Sequence, residues 1–408
     1  MKIAILGHGV VGSGVVEVLS KNGESIGRKA GAPLEIKYIL DRREFPELAY
    51  ADLFIKDFST IANDPEVDVV VEVMGGIEPA YSFVKQCLQN GKSVVTSNKE
   101  LVAAKGAELL ALAAQHGKNF FFEASVGGGI PIVKPLHLCL GANEITEIAG
   151  ILNGTTNFIL TKMIREAMSF ADALALAQQL GYAEKDPTAD VEGHDACRKI
   201  CILASLAFGK HIYPQYVYCE GITKITAEDV AYADRWGGVI KLIGRAKKLQ
   251  NGKTAIMVTP AFIARESQLS GVDDVFNGIL VRGDATGDVV FYGKGAGKLP
   301  TASAVVSDII DAVRATDTIR TLQWGDGDET AVAPFDDCPV TAFVRIADRG
   351  DALGKAKVLF GDIRQLVPMA GEIAFITPAL TEGELREKLA ALAENDAPLL
   401  SMLRVLDY

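Results

Sequence analysis

Cysteine is scarce in this chain. The six residues Cys87, Cys139, Cys197, Cys201, Cys219 and Cys338 are spread over 408 positions with no Cys-x-x-Cys pair. That pattern argues against a disulfide framework and for reduced, mostly buried thiols. Long apolar runs are also missing: the best, Ile200 to Phe208, is about half of the roughly 18 residues needed to cross a bilayer. Four apolar residues after Lys2 are too few for a signal-peptide core, and no small-residue cleavage site follows them. A soluble cytoplasmic protein is the expectation. Basic residues are outnumbered, 41 against 52 acidic, for a net charge of −11. That opposes binding to nucleic acid, which needs cations to neutralise phosphates, and docking on anionic membranes. Low-complexity segments and long repeats are absent. What remains is a globular composition long enough for two or three domains.

Residues 1–130 alternate between strand and helix patterns. Apolar runs at 2–6, 34–40, 67–73, 93–96 and 119–123 are separated by helical spacing at 11–21, 79–90 and 101–116. Such alternation predicts βαβ units and a parallel sheet covered on both faces, an α/β Rossmann-type dinucleotide-binding domain. After Gly127-Gly128-Gly129 the texture changes. A strand at 144–151, helices at 154–168, 170–180 and 192–208, and strands at 216–222, 237–246, 254–264 and 278–292 suggest an α+β domain over 131–300. A glycine loop at 293–297 leads into a helix at 301–315 that would complete the first domain. From about residue 335 the pattern reads strand 340–346, helix 352–360, strands 363–367 and 372–377, helix 382–395 and strand 399–405. This is the βαββαβ order of a ferredoxin-like unit, taken here as a domain over 335–408.

Gly7-His8-Gly9-Val10-Val11-Gly12 follows the first strand and opens the first helix. In that context the Gly-x-Gly-x-x-Gly pattern has a physical reading. Gly7 permits the tight turn, Gly9 lets the backbone approach a pyrophosphate, and Gly12 lets helix and strand pack closely. The first-turn residues Val10 and Val11 present the positive end of the helix. The second strand ends at Asp41, followed by Arg42 and Arg43. An acid there suits the ribose 2′-hydroxyl of NAD, and arginines suit the 2′-phosphate of NADP. Both types are present, and the two guanidiniums tilt the reading toward NADP. Gly75-Gly76 ends a later parallel strand, where it either borders the cofactor ribose or forms a plain turn.

The densest chemistry lies between 177 and 199. Asp195 and Lys199 are four apart and share a helix face. Such pairs are ordinarily exposed, but the apolar run that follows Lys199 makes this helix largely buried. Glu184, Asp186, Asp190, Asp195 and Lys199 bring more charge than a buried helix would otherwise carry. The positions Ala177, Gly181, Tyr182, Ala183, Asp186, Pro187, Asp190, Val191, Gly193, Asp195 and Lys199 together resemble the signature of the homoserine dehydrogenases. The resemblance extends through the N-terminal glycine loop, Asn98-Lys99, the stretch from Glu123 to Pro131, Asn153-Gly154-Thr155-Thr156-Asn157, and Gly295 to Gly297 with Pro300 to Ala304. It covers residues 1–315 well and the tail poorly.

The resemblance implies NAD(P)H-dependent interconversion of L-aspartate 4-semialdehyde and L-homoserine, with Lys199 as proton donor and Asp195 working beside it. It implies that Glu184 grips the substrate amino group, that Asp190 and Tyr182 line the same pocket, and that Gly154 and Thr155 form part of its wall. Lys99 would reach both cofactor and substrate, and Gly297 would lie near the nicotinamide. Glu123 with the carbonyls of Val126, Gly128 and Ile130 resembles a structural monovalent-cation site, usually sodium. A homodimer is a family expectation. Burial lowers a lysine pKa and a neighbouring carboxylate raises it; from sequence, either effect could prevail at Lys199.

Two other readings stay open at this stage. One is another Rossmann dehydrogenase of small aldehydes or acids, such as an aspartate-semialdehyde dehydrogenase, which would need an activated cysteine; Cys139 has His137 nearby. The other is a catalytically silent sensor of nucleotide and amino acid. His194, Cys197 and Cys201 share a helical face but match no zinc spacing. The tail resembles the ACT domains of many bacterial members. Its first strand–helix loop, Ala347-Asp348-Arg349-Gly350-Asp351, lacks the usual Pro-Gly, and such loops normally hold the effector. Weak or absent threonine inhibition is therefore expected, or else a role in dimer contacts.

Overall fold

The apolar runs of the first 121 residues pair as one six-stranded sheet, every neighbour parallel. The computed structural model describes residues 1–315, 322, 324–394 and 397–408. From edge to edge the strands are Phe54–Ile55, Glu35–Leu40, Lys2–Leu6, Val67–Glu72, Ser93–Thr96 and Phe120–Phe121. Ile3, Ile5, Val69 and Val71 enter one core, and Ala4, Leu6 and Val70 the other. Alternate side chains point to opposite faces, so continuous apolarity is what a sheet covered twice requires. The helices Val10–Ala30 and Lys298–Arg314 cover the first face, and Ala80–Gln89 and Lys99–Gln115 the second. Chain order reverses at Lys2–Leu6, which opens a crevice at the carboxyl ends of the strands.

The first helix runs to Ala30, beyond the expected end near 21. The polar stretch from Lys21 to Glu24 reads as a stop, but Leu19, Ile26 and Ala30 keep helical spacing across it and are buried. The helix ends where Gly31 turns left-handed at φ 80°. The Lys298–Arg314 helix returns to this sheet and lies close against the first helix. A Cβ on Gly14 would stand 2.8 Å from the Lys298 carbonyl oxygen.

Among the described residues, Pro339–Val340 and Leu380–Thr381 pair by themselves, and the other strands build a second sheet of ten strands. Its order is Gly287–Lys294, Phe276–Gly283, Ile145–Ile151, Gly238–Lys248, Thr254–Ala264, Leu399–Leu406, Ala342–Ala347, Glu372–Ile376 and Arg364–Gln365, with Tyr218–Cys219 also on Thr254–Ala264. The helices Gly154–Glu166, His194–Phe208 and Ala227–Trp236 pack against Gly238–Lys248. The expected strand 278–292 is a hairpin, because Gly287 adopts φ 69° and turns the chain back. The expected strand 216–222 shrinks to two residues. The Ala227–Trp236 helix was not foreseen; a capping box of Thr226 and Asp229 starts it. Asn395, expected to close the last helix, lies outside the described residues, and that helix is described over Glu382–Glu394.

The tail's strands continue the central sheet. Leu399–Leu406 runs parallel to Thr254–Ala264, pairing Arg404 with Ala261, and antiparallel to Ala342–Ala347. Two buried arginines reinforce the junction. Arg345 reaches Asp229 at 2.7 Å and Glu372 at 2.7 Å. Arg404 holds both oxygens of Glu382, and Glu220 and Thr259 across the junction.

Candidate active site

The Ile145–Ile151 strand ends at Leu152-Asn153, and Asn153 caps the Gly154–Glu166 helix by accepting the Thr156 N–H at 2.8 Å. Facing it is the start of the His194–Phe208 helix, entered through Gly193 at φ 83°. A Cβ at Gly193 would also press on Cys219 Sγ and Val258 at 3.1 Å. Asp195 sits in the first turn of this helix, where its charge favours the positive end. Lys199 lies one turn on. Both are buried, and the Lys199 ammonium donates to Asp195 Oδ2 at 2.7 Å and to the Leu152 carbonyl at 2.7 Å.

A second lysine arrives from the other sheet. Lys99, at the start of the Lys99–Gln115 helix, places Nζ 2.6 Å from Asp195 Oδ1. Burial alone would push the Asp195 carboxyl up, but the two ammoniums outweigh it and hold the group well below the usual carboxylate range. At Lys199 burial prevails and lowers the pKa against the pull of Asp195. At Lys99 burial also pulls down, but Asp195 and Asp190 hold the group above its ordinary value. Asp190, half-buried, is pushed up by burial, with Asn153 opposing and Asp195 adding to the rise.

These groups line a cleft of about 470 Å³, together with Gly154, Thr155, Tyr182 and the loop from Lys294 to Gly297. The Thr155 hydroxyl donates to the Tyr182 carbonyl at 2.7 Å and pins the 181–190 loop. Gly297 adopts φ 125° and caps the Lys298–Arg314 helix. Thus Lys99, Gly154, Thr155, Tyr182, Asp190, Asp195, Lys199 and Gly297 come together. Glu184 does not join them: it is exposed and lies outside the lining of the cleft. Cys139 is exposed, and neither it nor His137 lines the cleft.

The glycine loop sits in the crevice of the parallel sheet. Gly7 adopts φ 99°, and a Cβ at Gly12 would collide with the Gly7 carbonyl at 2.1 Å. A Cβ at Gly9 would meet nothing within 4 Å, so the space above it is open. Val10 is exposed, and the first-turn N–H groups of Val10, Val11 and Gly12 face out of the helix end. This cradle fits a pyrophosphate. Gly75 adopts φ 82° beside it, and its turn is held by the buried carboxylate of Glu72.

Asp41 is already engaged. Its Oδ2 accepts from the His8 N–H at 2.8 Å and from Arg43 Nη2 at 2.9 Å. Its Oδ1 accepts from the Arg43 N–H at 2.9 Å and from Nε at 3.0 Å. The Arg43 guanidinium beside it therefore holds the Asp41 carboxyl far below its usual range. Arg42 is exposed.

Profiles of known families match in two segments: homoserine dehydrogenase over residues 131–310, and the NAD-binding domain of homoserine dehydrogenase over residues 7–123. The homoserine dehydrogenase of Synechocystis sp. is 41% identical over an alignment spanning all of this chain and 99% of that protein. This chain belongs to the homoserine dehydrogenase family. It is an NAD(P)-dependent oxidoreductase acting on a CH–OH group. The homoserine dehydrogenase of Pseudomonas aeruginosa is 46% identical over 77% of this chain and 73% of its own length. Among solved structures, a homoserine dehydrogenase from Thiobacillus denitrificans superposes with TM-score 0.92 at 36% identity, covering 100% of this chain and 98% of that one. A hyperthermophilic archaeal homoserine dehydrogenase in complex with NADPH matches with TM-score 0.65 at 29% identity over 76% of this chain and 97% of that one.

The turn after the parallel sheet carries a buried acid, Glu123. The Glu123 carboxylate is spent on three backbone donors, the N–H groups of Ile132, Val133 and Lys134 at 2.6 to 2.9 Å. It caps the following turn and is not a free ligand. Val126, Gly128 and Ile130 are buried, and among the described residues their carbonyl oxygens accept no hydrogen bond. The turn is glycine-rich because it touches the cleft loop: a Cβ at Gly128 would lie 2.2 Å from the Gly295 carbonyl oxygen.

Sequence reasoning missed Glu72, His8, Lys294 and the bridging role of Asn153. Glu72 carried a signal, as the acid that ends a strand otherwise made of valine and Asp68. His8 carried none, since its ring is enclosed by Phe45, Tyr50 and Phe54 from a distant segment.

Proposed function

We propose that this chain reversibly reduces L-aspartate 4-semialdehyde to L-homoserine, in the branch of amino-acid biosynthesis leading to threonine, methionine and isoleucine. The observation that carries the proposal is the clamp of two lysines on one buried aspartate, in a cleft that the loop from Lys294 to Gly297 also lines. Bound in that cradle, the nicotinamide supplies or accepts the hydride. Lys199 gives its proton to the C4 carbonyl oxygen as the aldehyde becomes an alcohol, and takes one back in the reverse direction. The lowered pKa of Lys199 makes that proton easier to give. Lys99 keeps its proton, so the charge of Asp195 stays compensated when Lys199 is neutral. Asp190, Tyr182, Gly154 and Thr155 surround the substrate, and Glu184 takes its amino group by turning in from the rim.

Gly7, Gly9, Val10, Val11, Gly12, Gly75, Lys99 and Gly297 hold the coenzyme, and NADP is preferred. Asp41 favours that reading because four donors saturate its carboxylate, so it positions Arg43 instead of accepting from a ribose diol. Arg43 and Arg42 then meet the 2′-phosphate. The three unpaired carbonyls of Val126, Gly128 and Ile130 suit a hard monovalent cation such as sodium, with Glu123 contributing no carboxylate.

The domains are proposed as 1–130 with helix 301–315, 131–300, and an ACT-like 335–408, in a homodimer. The Asp351 carboxylate already caps the Ala352–Phe360 helix, accepting the Gly354 N–H at 3.1 Å. An effector's carboxylate at that helix end would meet like charge, which supports weak threonine control.

The test follows oxidation of NADPH and NADH in parallel with L-aspartate 4-semialdehyde. Homoserine formed with either coenzyme, and turnover lost by orders of magnitude in Lys199→Ala with coenzyme binding retained, is the expected result. Near-normal turnover in Lys199→Ala removes that lysine from its role. Coenzyme binding without turnover in the unaltered protein favours a silent sensor.

A further inference from the structure

One amide joins the two carboxylates of the cleft. Asn153 Nδ2 donates to Asp190 Oδ1 at 2.7 Å and to Asp195 Oδ2 at 2.9 Å. Its Oδ1 accepts from the Thr156 N–H at 2.8 Å and the Thr156 hydroxyl at 3.0 Å. Reversing the amide would aim its oxygen at two carboxylates and its NH₂ at a backbone N–H, so the orientation is determined by its partners. Asn153 is 5% exposed, and the residue before it supplies the carbonyl that holds Lys199.

We infer that Asn153 is a positioning residue for the proton transfer: its single amide keeps Asp190 and Asp195 both ionised side by side, so that Asp195 stays aimed at Lys199 and Lys99. This deepens the reading of Lys199 as proton donor and rests on it.

Two carboxylates within hydrogen-bond reach of the same nitrogen repel each other. A neutral donor between them offsets that repulsion and adds no charge to the cluster. The charged groups facing the pair are Lys99 from its helix, Lys199 from the His194–Phe208 helix, and Lys294 from the cleft loop; Arg198 bears on Lys99 and pairs with Glu100 at 3.2 Å. The Tyr182 phenol is the other titratable group there. Without the amide, Asp190 takes a proton first, because burial already pushes it up. Protonated Asp190 then donates to Asp195 and draws it away from Lys199.

The test is Asn153→Ser, with Asn153→Asp as a second variant. Serine and aspartate both cap a helix well, so the Gly154–Glu166 start survives in each. A serine hydroxyl carries one hydrogen and cannot bridge both carboxylates, and an aspartate adds a third acid. We expect kcat/KM for homoserine to fall about tenfold or more, and its acid limb to move up by about one pH unit. Coenzyme KM and the thermal midpoint should stay at the unaltered values, and the Asp variant should be the more acid-sensitive. An Asn153→Ser enzyme with unaltered kcat/KM and pH profile, beside an inactive Lys199→Ala, overturns the inference alone. If Asn153→Ser does not fold, an unmoved acid limb in Asn153→Asp does the same. Full activity in Lys199→Ala overturns the proton-donor reading beneath it.

Discussion

Replacing Arg404 by alanine asks whether the tail is part of the catalytic body. Arg404 is 1% exposed. Its Nε and Nη2 donate to Glu382 at 2.6 and 3.0 Å, and its Nη1 to Glu220 at 2.7 Å and Thr259 at 2.9 Å. The guanidinium also lies over the rings of Tyr218 and Phe335 at 4.9 and 5.4 Å. Arg404→Ala strands the buried carboxylate of Glu382, and breaking a buried pair in this way costs about 3–5 kcal/mol. Loss of the ring contacts adds roughly 1 kcal/mol, so the expected destabilisation is about 4–6 kcal/mol. Arg404→Leu combined with Glu382→Leu removes both charges and should come within about 1–2 kcal/mol of the unaltered protein. The assay is urea unfolding followed by tryptophan fluorescence. Neither Trp236 nor Trp324 lies in the tail, so the signal reports the body to which Leu399–Leu406 is paired. An Arg404→Ala loss under about 1 kcal/mol would refute the reasoning, since that is the range of an exposed pair. So would a tail that becomes protease-sensitive while the tryptophan transition stays in place.

Other outcomes follow from the same geometry. Lys99→Met leaves the Asp195 charge to Lys199 alone, which raises the Lys199 pKa. Homoserine oxidation needs neutral Lys199, so its activity limb should move to higher pH; a limb that stays put or moves down counts against the two-lysine account. Arg43→Ala removes a charge-assisted contact worth about 1.5–3 kcal/mol, so KM for NADPH should rise at least about tenfold and that for NADH far less. An unchanged ratio defeats the phosphate-clamp reading. Millimolar threonine should leave turnover intact, and inhibition at that level would show that Asp351 does not bar an effector.

Much of the fold was legible because local pattern and burial agreed. Strand 93–96 was read to the residue, since all four of its positions are buried. The hairpin at 276–294 was not, because the apolar runs on both sides read as one strand across the short Gly283–Gly287 turn. The site was legible as residue types on one helix, Asp195 and Lys199, and as a glycine pattern at 7–12. The three backbone donors of Glu123 were not legible, because they come from residues 132–134, which sequence alone does not bring back onto its carboxylate.

The sequence by itself determined which residues could share a face and which glycines had to be glycine, because period, propensity and phosphate-loop chemistry act over a few neighbouring positions. Only the tertiary structure decided where charge would settle. Lys99 and Lys199 are one hundred residues apart in the chain and meet on one carboxylate, burial lowers one and the carboxylates raise the other, and Asn153 bridges two acids from separate elements. The joining of the tail to the central sheet, through Arg404 and strand Leu399–Leu406, belongs to the same class. Desolvation and Coulomb interaction depend on distance in space, and separation along the chain carries no record of it.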